Sequence, residues 1–291
     1  MPEGPEIRRA ADRLARVLEG QRLEAVEVDR VALPKVARRR RDLVGCEVDR
    51  LDTRGKALLT RLSNGLAIYS HNQLYGRWYV RPRGKLPQTN RSLRLALHTA
   101  THSALLYSAS EVAVLTATAE AKHPFLSKLG PDLLDPALEW KALAERLAAP
   151  AFRRRSLAAL YLDQGFLAGV GNYLRSEILF FARLSPWARP ENLSSAALAR
   201  LARTTLTIGA RAYRTGGICN PRQRVAQLRQ SFRADPEAFP RGEHEAIRFS
   251  VFDRDGEPCH SCGTIVERTT VSARRLYYCP TCQAEGAPSG A

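Results

Sequence analysis

The chain has 291 residues, 44% hydrophobic and 25% charged, a globular balance that excludes wholesale disorder. With 45 Lys+Arg against 29 Asp+Glu, its formal net charge is +16. A surface this basic attracts polyanions, nucleic acid foremost, although an Arg-rich proteome would also raise the charge. No uninterrupted apolar run is long enough to cross a bilayer, and the N-terminus carries Glu3 and Glu6 with no apolar signal-type core. A cytoplasmic protein is the expectation.

Residues 5–18 read as a helix. Ile7, Ala11, Leu14 and Leu18 form one apolar stripe, Pro5 suits the first turn, and Gly20 marks the stop. Short alternating runs follow: LEAVEVDR, CEVDRLDTR, ALLTRLS, LAIYSH, RWYVR, SLRLALHT and ALLYSAS. Turn residues such as Ser63-Asn64-Gly65 separate them, the texture of an antiparallel sandwich or barrel. HPFLSKLGPDLLDP, rich in Pro and Gly, reads as a linker. Helices are then predicted near 138–147, 156–162, 173–182 and 195–213. The Arg-rich stretch 216–245 lacks clear periodicity and reads as a long loop. The expected divisions are a helix-plus-β domain at 1–125, a linker and helical domain at 126–248, a small C-terminal module at 249–283 and a disordered tail at 284–291.

Two CxxC pairs, Cys259/Cys262 and Cys279/Cys282, lie sixteen residues apart. Four thiolates at this spacing can close a tetrahedral Zn²⁺ site, with two strands between the knuckles. Some 30 residues bury too little apolar surface to fold alone, so metal should supply much of the stability. Such a closed site is structural. His260 is then a bystander, while Cys46 and Cys219 read as small buried hydrophobes. The hairpin tip would present Arg274 and Arg275, which can grip phosphate or remain solvated charges.

LDQGFLAGVGNYLRSEIL breaks at Gly165, Gly169 and Gly171 before a helix opens at Asn172. Backbone N–H groups at such a start suit phosphate. Asn172 is also a natural N-cap, and the two roles are compatible.

PEGPE at the start, GVGNYLRSEIL in the middle and the CxxC…CxxC ribbon at the end together resemble the formamidopyrimidine-DNA glycosylase/endonuclease VIII family. TRGKALLT, YSHNQLYG, HPFLSKLGPD and DGEPC are similar to its endonuclease VIII branch. The resemblance covers nearly the whole chain. It implies an α+β multidomain fold: an N-terminal helix plus antiparallel β-sandwich, a helix–two-turn–helix domain and a zinc ribbon holding one Zn²⁺. It also implies a monomeric, nucleoid-associated bacterial enzyme acting on double-stranded DNA with oxidised bases or abasic sites.

The implied chemistry flips the damaged nucleotide from the stack, and an amine attacks the sugar C1′ to form a Schiff base. An α-amino group titrates near 8, well below lysine's roughly 10.4, so a terminal amine suits this step. With Met1 removed, Pro2 supplies a secondary amine, and the positive end of the following helix dipole should disfavour its protonated form. By resemblance Glu3 is the general acid, a task requiring a carboxyl that holds its proton. Glu6 orients or assists it. Taken alone, both acids are simply favourable at a helix start. Resemblance makes Lys56 a second catalytic cation and links Arg274 to phosphate binding and δ-elimination. It gives Gln73, Leu74 and Tyr75 the filling of the space left by the flipped base. Without it, the triplet reads as a strand end with two core residues. Lys128 and Asn172 match phosphate-binding positions, and Glu177 is a candidate for positioning the terminus. An oxidised-purine specificity and a non-catalytic zinc-ribbon DNA binder are the competing functions. HNQLYG disfavours the first, and the presence of Pro2, Glu3 and Lys56 disfavours the second.

Overall fold

Helix α1 (Gly4–Leu18) is set by its first residues. Glu3 is the N-cap, Pro5 lies in the first turn, and Glu3 and Glu6 complete a capping box. Its stripe of Ile7, Ala11, Leu14 and Leu18 is buried, each large side chain contributing ~1.5–3 kcal/mol. The computed structural model describes residues 2–239 and 241–286. Two compact units divide between Leu129 and Gly130.

In the first unit α1 is followed by β1 (Ala25–Val28), α2 (Pro34–Arg38), β2 (Val48–Arg54), β3 (Ala57–Leu62) and β4 (Ala67–His71). Next come β5 (Arg77–Pro82), β6 (Leu93–His98), β7 (His102–Tyr107), β8 (Glu111–Leu115) and α3 (Ala117–Ala121), then a 3₁₀ turn at Leu126–Lys128. One sheet has the order β1-β6-β7-β5 and the other β2-β3-β4-β8; every pairing within them is antiparallel. Leu58 and Ile68 of one sheet, Leu95, Leu97 and Leu106 of the other, and Ile7 and Leu14 of α1 share one core. This is the expected helix plus β-sandwich. The sequence pattern did not reveal α2, β8 or α3. All four described positions of β8 before Leu115 are only half-buried, so β8 has no buried/exposed alternation to detect.

The second unit contains α4 (Trp140–Ala148), α5 (Leu157–Leu160), α6 (Asn172–Phe181) and α7 (Ser195–Thr215). They are followed by α8 (Arg222–Ala234), α9 (Gly242–Arg248), β9 (Glu267–Val271) and β10 (Arg274–Tyr278). Leu143, Leu157, Phe166, Leu174, Ile178, Leu201 and Ile208 form its core. Ser194 caps α7 by accepting from the Ala197 N–H, and Gly216 ends it at φ 76°, a left-handed position that suits glycine. Gly130 lies where no side chain fits, since a Cβ there would meet Gly165 O at 2.4 Å.

The long loop expected at 216–245 is corrected by α8 and α9. Of the α8 residues only Leu228 is buried, so the helix carries no apolar stripe. Arg, Gln, Ala and Leu nevertheless favour helix, and Arg229 pairs with Glu243 on α9 at 3.2 Å. Part of the expected tail is also held: the Ser185 N–H donates to Glu285 O at 2.8 Å, and Arg200 pairs with the Glu285 carboxylate. Residues 287–291 of that tail lie outside the described residues.

Candidate catalytic terminus, phosphate contacts and metal centre

The N-terminus is tied into α1. Glu3 is only 3% exposed, and its side chain accepts from the Glu6 N–H while its own N–H donates to Glu6 Oε2 at 2.9 Å. Pro2 is half-buried immediately before it. Glu6 is therefore engaged in holding the Glu3 backbone.

Lys56 lies at the two-residue turn joining β2 and β3. Because Ala57 pairs with His71 on β4, Lys56 and the loop 72–76 share one end of this sheet. His71 has a lowered pKa, chiefly through burial; Glu111 opposes the shift and the Lys56 charge adds to it. The loop closes through the Gly76 N–H on Asn72 O at 2.7 Å. A Cβ on Gly76 would approach the same oxygen at 2.6 Å. Leu74 and Tyr75 are 55% and 67% exposed, so they are not the core residues that a strand end would have placed there. Arg91 donates to the Tyr75 carbonyl. Lys128 is exposed at the end of its 3₁₀ turn.

In the second unit Gly171, not Asn172, is the N-cap of α6. Asn172 is the first helical residue, and its Oδ1 accepts from Arg175 Nη2 at 3.0 Å. The same guanidinium nitrogen donates to Arg275 O at 2.9 Å, and Nη1 donates to Ala158 O at 3.0 Å. A fully buried arginine thus joins Asn172 to the ribbon strand beside Arg274. Sequence reasoning missed Arg175, because an arginine in a helix ordinarily reads as surface.

Glu177 is also fully buried. Its carboxylate accepts from the Ser250, Val251 and Phe252 N–H groups, each at 2.9 Å. Burial raises its pKa, while these bonds and Arg254 oppose the rise. Its contacts brace the segment leading to the ribbon, a structural task not foreseen from the sequence.

The ribbon strands pair with Val271 opposite Arg274. Ser272 and Ala273 form the tip at φ 52° and 58°, both in the left-handed region. Arg274 is exposed beside that tip. Cys259, Cys262, Cys279 and Cys282 place their sulfurs within 4.8 Å of one another. Sγ separations are 3.9 Å for Cys259–Cys282 and 3.5 Å for Cys262–Cys279. Four sulfurs about 2.3 Å from a tetrahedral zinc would lie about 3.8 Å apart, so the cluster fits Zn²⁺. The Ser261 N–H points at Cys259 Sγ and the Cys282 N–H at Cys279 Sγ, both at 3.4 Å. His260 lies outside the four-sulfur cluster. Burial, with Arg254 and Arg224, holds its pKa down to about 3.

Three family models match this chain. They describe the formamidopyrimidine-DNA glycosylase N-terminal domain at residues 1–110, its H2TH domain at 129–222, and a zinc finger found in FPG and IleRS at 256–284. Endonuclease 8 of Escherichia coli O17:K52:H18 (strain UMN026 / ExPEC) is 47% identical over 283 residues, covering 97% of this chain and 100% of that protein. The chain belongs to the formamidopyrimidine-DNA glycosylase/endonuclease VIII family. Endonuclease 8 of Shigella sonnei (strain Ss046) is 46% identical, with the same coverage of both chains. The fold is also that of Lactococcus lactis formamidopyrimidine-DNA glycosylase bound to DNA containing an AP site, with TM-score 0.76 and 20% identity over 97% of this chain and 100% of that one. A second complex of that glycosylase, with DNA containing an oxidised pyrimidine, gives TM-score 0.76 and 20% identity over 98% and 100%. One structural zinc belongs to the ribbon of this family member. No helix among the described residues is long and apolar enough to cross a membrane.

Proposed function

We propose that this chain, a DNA glycosylase/AP lyase of base excision repair, removes oxidised pyrimidines from double-stranded DNA by chemistry at its own N-terminus. The observation that carries the proposal is the capping box that fixes Glu3, 3% exposed, directly behind Pro2. Chain ends ordinarily fray unless something ties them down.

With Met1 removed, the Pro2 nitrogen attacks C1′ of the flipped nucleotide and Glu3 delivers the proton that opens the sugar or frees the base. An iminium joins Pro2 to the sugar, and β- then δ-elimination cleaves the strand. Glu6 acts through Glu3, as a positioning residue. Lys56 supplies a cation near the reacting sugar and Arg274 one at the phosphate. Gln73, Leu74 and Tyr75 occupy the space left by the base; the exposure of Leu74 and Tyr75 suits wedges that enter a stack. Lys128 and Asn172 bind backbone phosphate. The domain limits we propose are those expected from the sequence, 1–125, 126–248 and 249–283. We further propose that the protein works in the cytoplasm, associated with the nucleoid that carries its DNA substrate, and acts as a monomer.

Specificity is tested by cleavage of duplexes carrying thymine glycol or 8-oxoguanine at one position. Faster cleavage of thymine glycol is expected. Preference for 8-oxoguanine would assign the chain the oxidised-purine activity instead.

A further inference from the structure

Gln73 is gripped at both ends of its amide. Ser110 Oγ donates to Gln73 Oε1 at 2.9 Å, and Gln73 Nε2 donates to Glu111 Oε2 at 3.0 Å. The other carboxylate oxygen of Glu111 accepts from the Tyr69 hydroxyl at 2.8 Å, and Tyr69 is fully buried. Glu111 is therefore anchored to the core on one side and to the loop on the other. Sheet register accounts for its place, since β8 pairs Glu111 with His71, two residues before Gln73. The backbone completes the grip: Gln73 has φ 48°, and its N–H donates to His71 Nδ1 at 3.2 Å.

The consequence is directional. A carboxylate only accepts hydrogen bonds, so the face of the Gln73 amide toward Glu111 must be its nitrogen. Ser110 can donate or accept and follows that choice. One N–H and one lone pair of the Gln73 amide are left for another partner, in a fixed orientation. An amide held this way presents a defined donor–acceptor pattern; one free to flip presents either.

We propose that Glu111, with Ser110, is a positioning residue that fixes the orientation of the Gln73 amide and so sets which base is accepted opposite the lesion. The proposal rests on the reading of Gln73 as a residue that enters the DNA stack. Nothing in it requires Glu111 to touch DNA.

The test uses the full-length, zinc-loaded protein with Met1 removed, and duplexes with one lesion placed opposite each of the four bases. Wild type, Gln73→Ala, Glu111→Gln, Glu111→Asp and the double variant Gln73→Ala/Glu111→Gln are compared by single-turnover cleavage. Glu111→Gln keeps an acceptor for Tyr69 but offers Gln73 either face of an amide. Wild type is expected to show a spread of rates across the opposite bases. Glu111→Gln should compress that spread by about fivefold to tenfold, the scale of one net hydrogen bond. Gln73→Ala should compress it equally, with no further change in the double variant, whereas Glu111→Asp, still acceptor-only but one methylene shorter, should compress it less than Glu111→Gln does.

A general loss of packing would lower all four rates together and leave the spread intact. If Gln73→Ala narrows the spread while Glu111→Gln does not, or if the two effects multiply, the positioning role is wrong. If Gln73→Ala leaves the spread unchanged, or wild type shows none, the reading of Gln73 fails and the proposal falls with it.

Discussion

Glu3 and Glu6 hold each other across the first turn of α1: the Glu3 N–H donates to Glu6 Oε2 at 2.9 Å, and the Glu3 side chain accepts from the Glu6 N–H. This exchange turns a chain end into a fixed object. It also gives Glu6 a measurable task distinct from that of Glu3.

Glu6→Ala removes one half of the box and should cost about 0.5–2 kcal/mol of stability. Because Pro2 and Glu3 then lose their fixed placement, base release should slow by about 10- to 100-fold. Glutamine also completes a capping box, so Glu6→Gln should retain most of both. Thermal unfolding and single-turnover base release check this. Equal activity of Glu6→Ala and wild type would remove Glu6 from the account.

Glu177 yields a pH prediction. Its folded-state pKa is raised, chiefly through burial, so the folded chain holds this proton more tightly than the unfolded one. The stability contributed by this group is greatest below the unfolded value of about 4.3 and falls as pH rises through the folded value. Glu177→Gln removes that fall. It also turns an amide NH₂ toward one of the three backbone donors, costing about 1–3 kcal/mol near neutral pH. Denaturant unfolding from about pH 4 to pH 7 should show a flatter pH dependence in Glu177→Gln. Parallel curves would contradict this.

Cys279→Ser opens the four-sulfur cluster. Metal analysis should give one zinc per wild-type chain and a fractional amount in the variant, with the ribbon core of Val251, Val266 and Tyr277 loosened. DNA binding should fall, because the ribbon that carries Arg274 is no longer shaped. Full zinc content in Cys279→Ser would show that the site is built otherwise.

Ala273 stands at φ 58°, where a side chain costs roughly 1 kcal/mol and glycine does not. Ala273→Gly should therefore raise ribbon stability by up to about 1 kcal/mol, less the entropy that glycine adds to the unfolded chain. Thermal unfolding of zinc-loaded protein measures it. A clear loss of stability would mean that the Ala273 methyl is needed at the tip.

How far the sequence could be read depended on how local each signal was. The cysteine pairs were legible because tetrahedral zinc dictates their spacing, and α1 was legible because its stripe faces one core. By contrast, α8 buries only Leu228 and shows no period. Asn172 read as a cap, yet Gly171 takes that position and the Asn172 side chain serves Arg175 instead. Glu111 has no local signature at all: its partner Gln73 is 38 residues away, and only the register of β4 against β8 joins them. Arg175 and Glu177 reach 100 and 75 residues along the chain to Arg275 and Phe252. Such bonds exist only once the second unit has folded.

The central claim is that Pro2 is the nucleophile, and borohydride trapping tests it most directly. Reduction during turnover on lesion-containing duplex converts the transient iminium into a stable amine, and peptide mass mapping locates it. Protein lacking Met1 should give a covalent adduct on the peptide that begins at Pro2. An adduct on Lys56 or any other residue, or no adduct from correctly processed protein, would contradict the account.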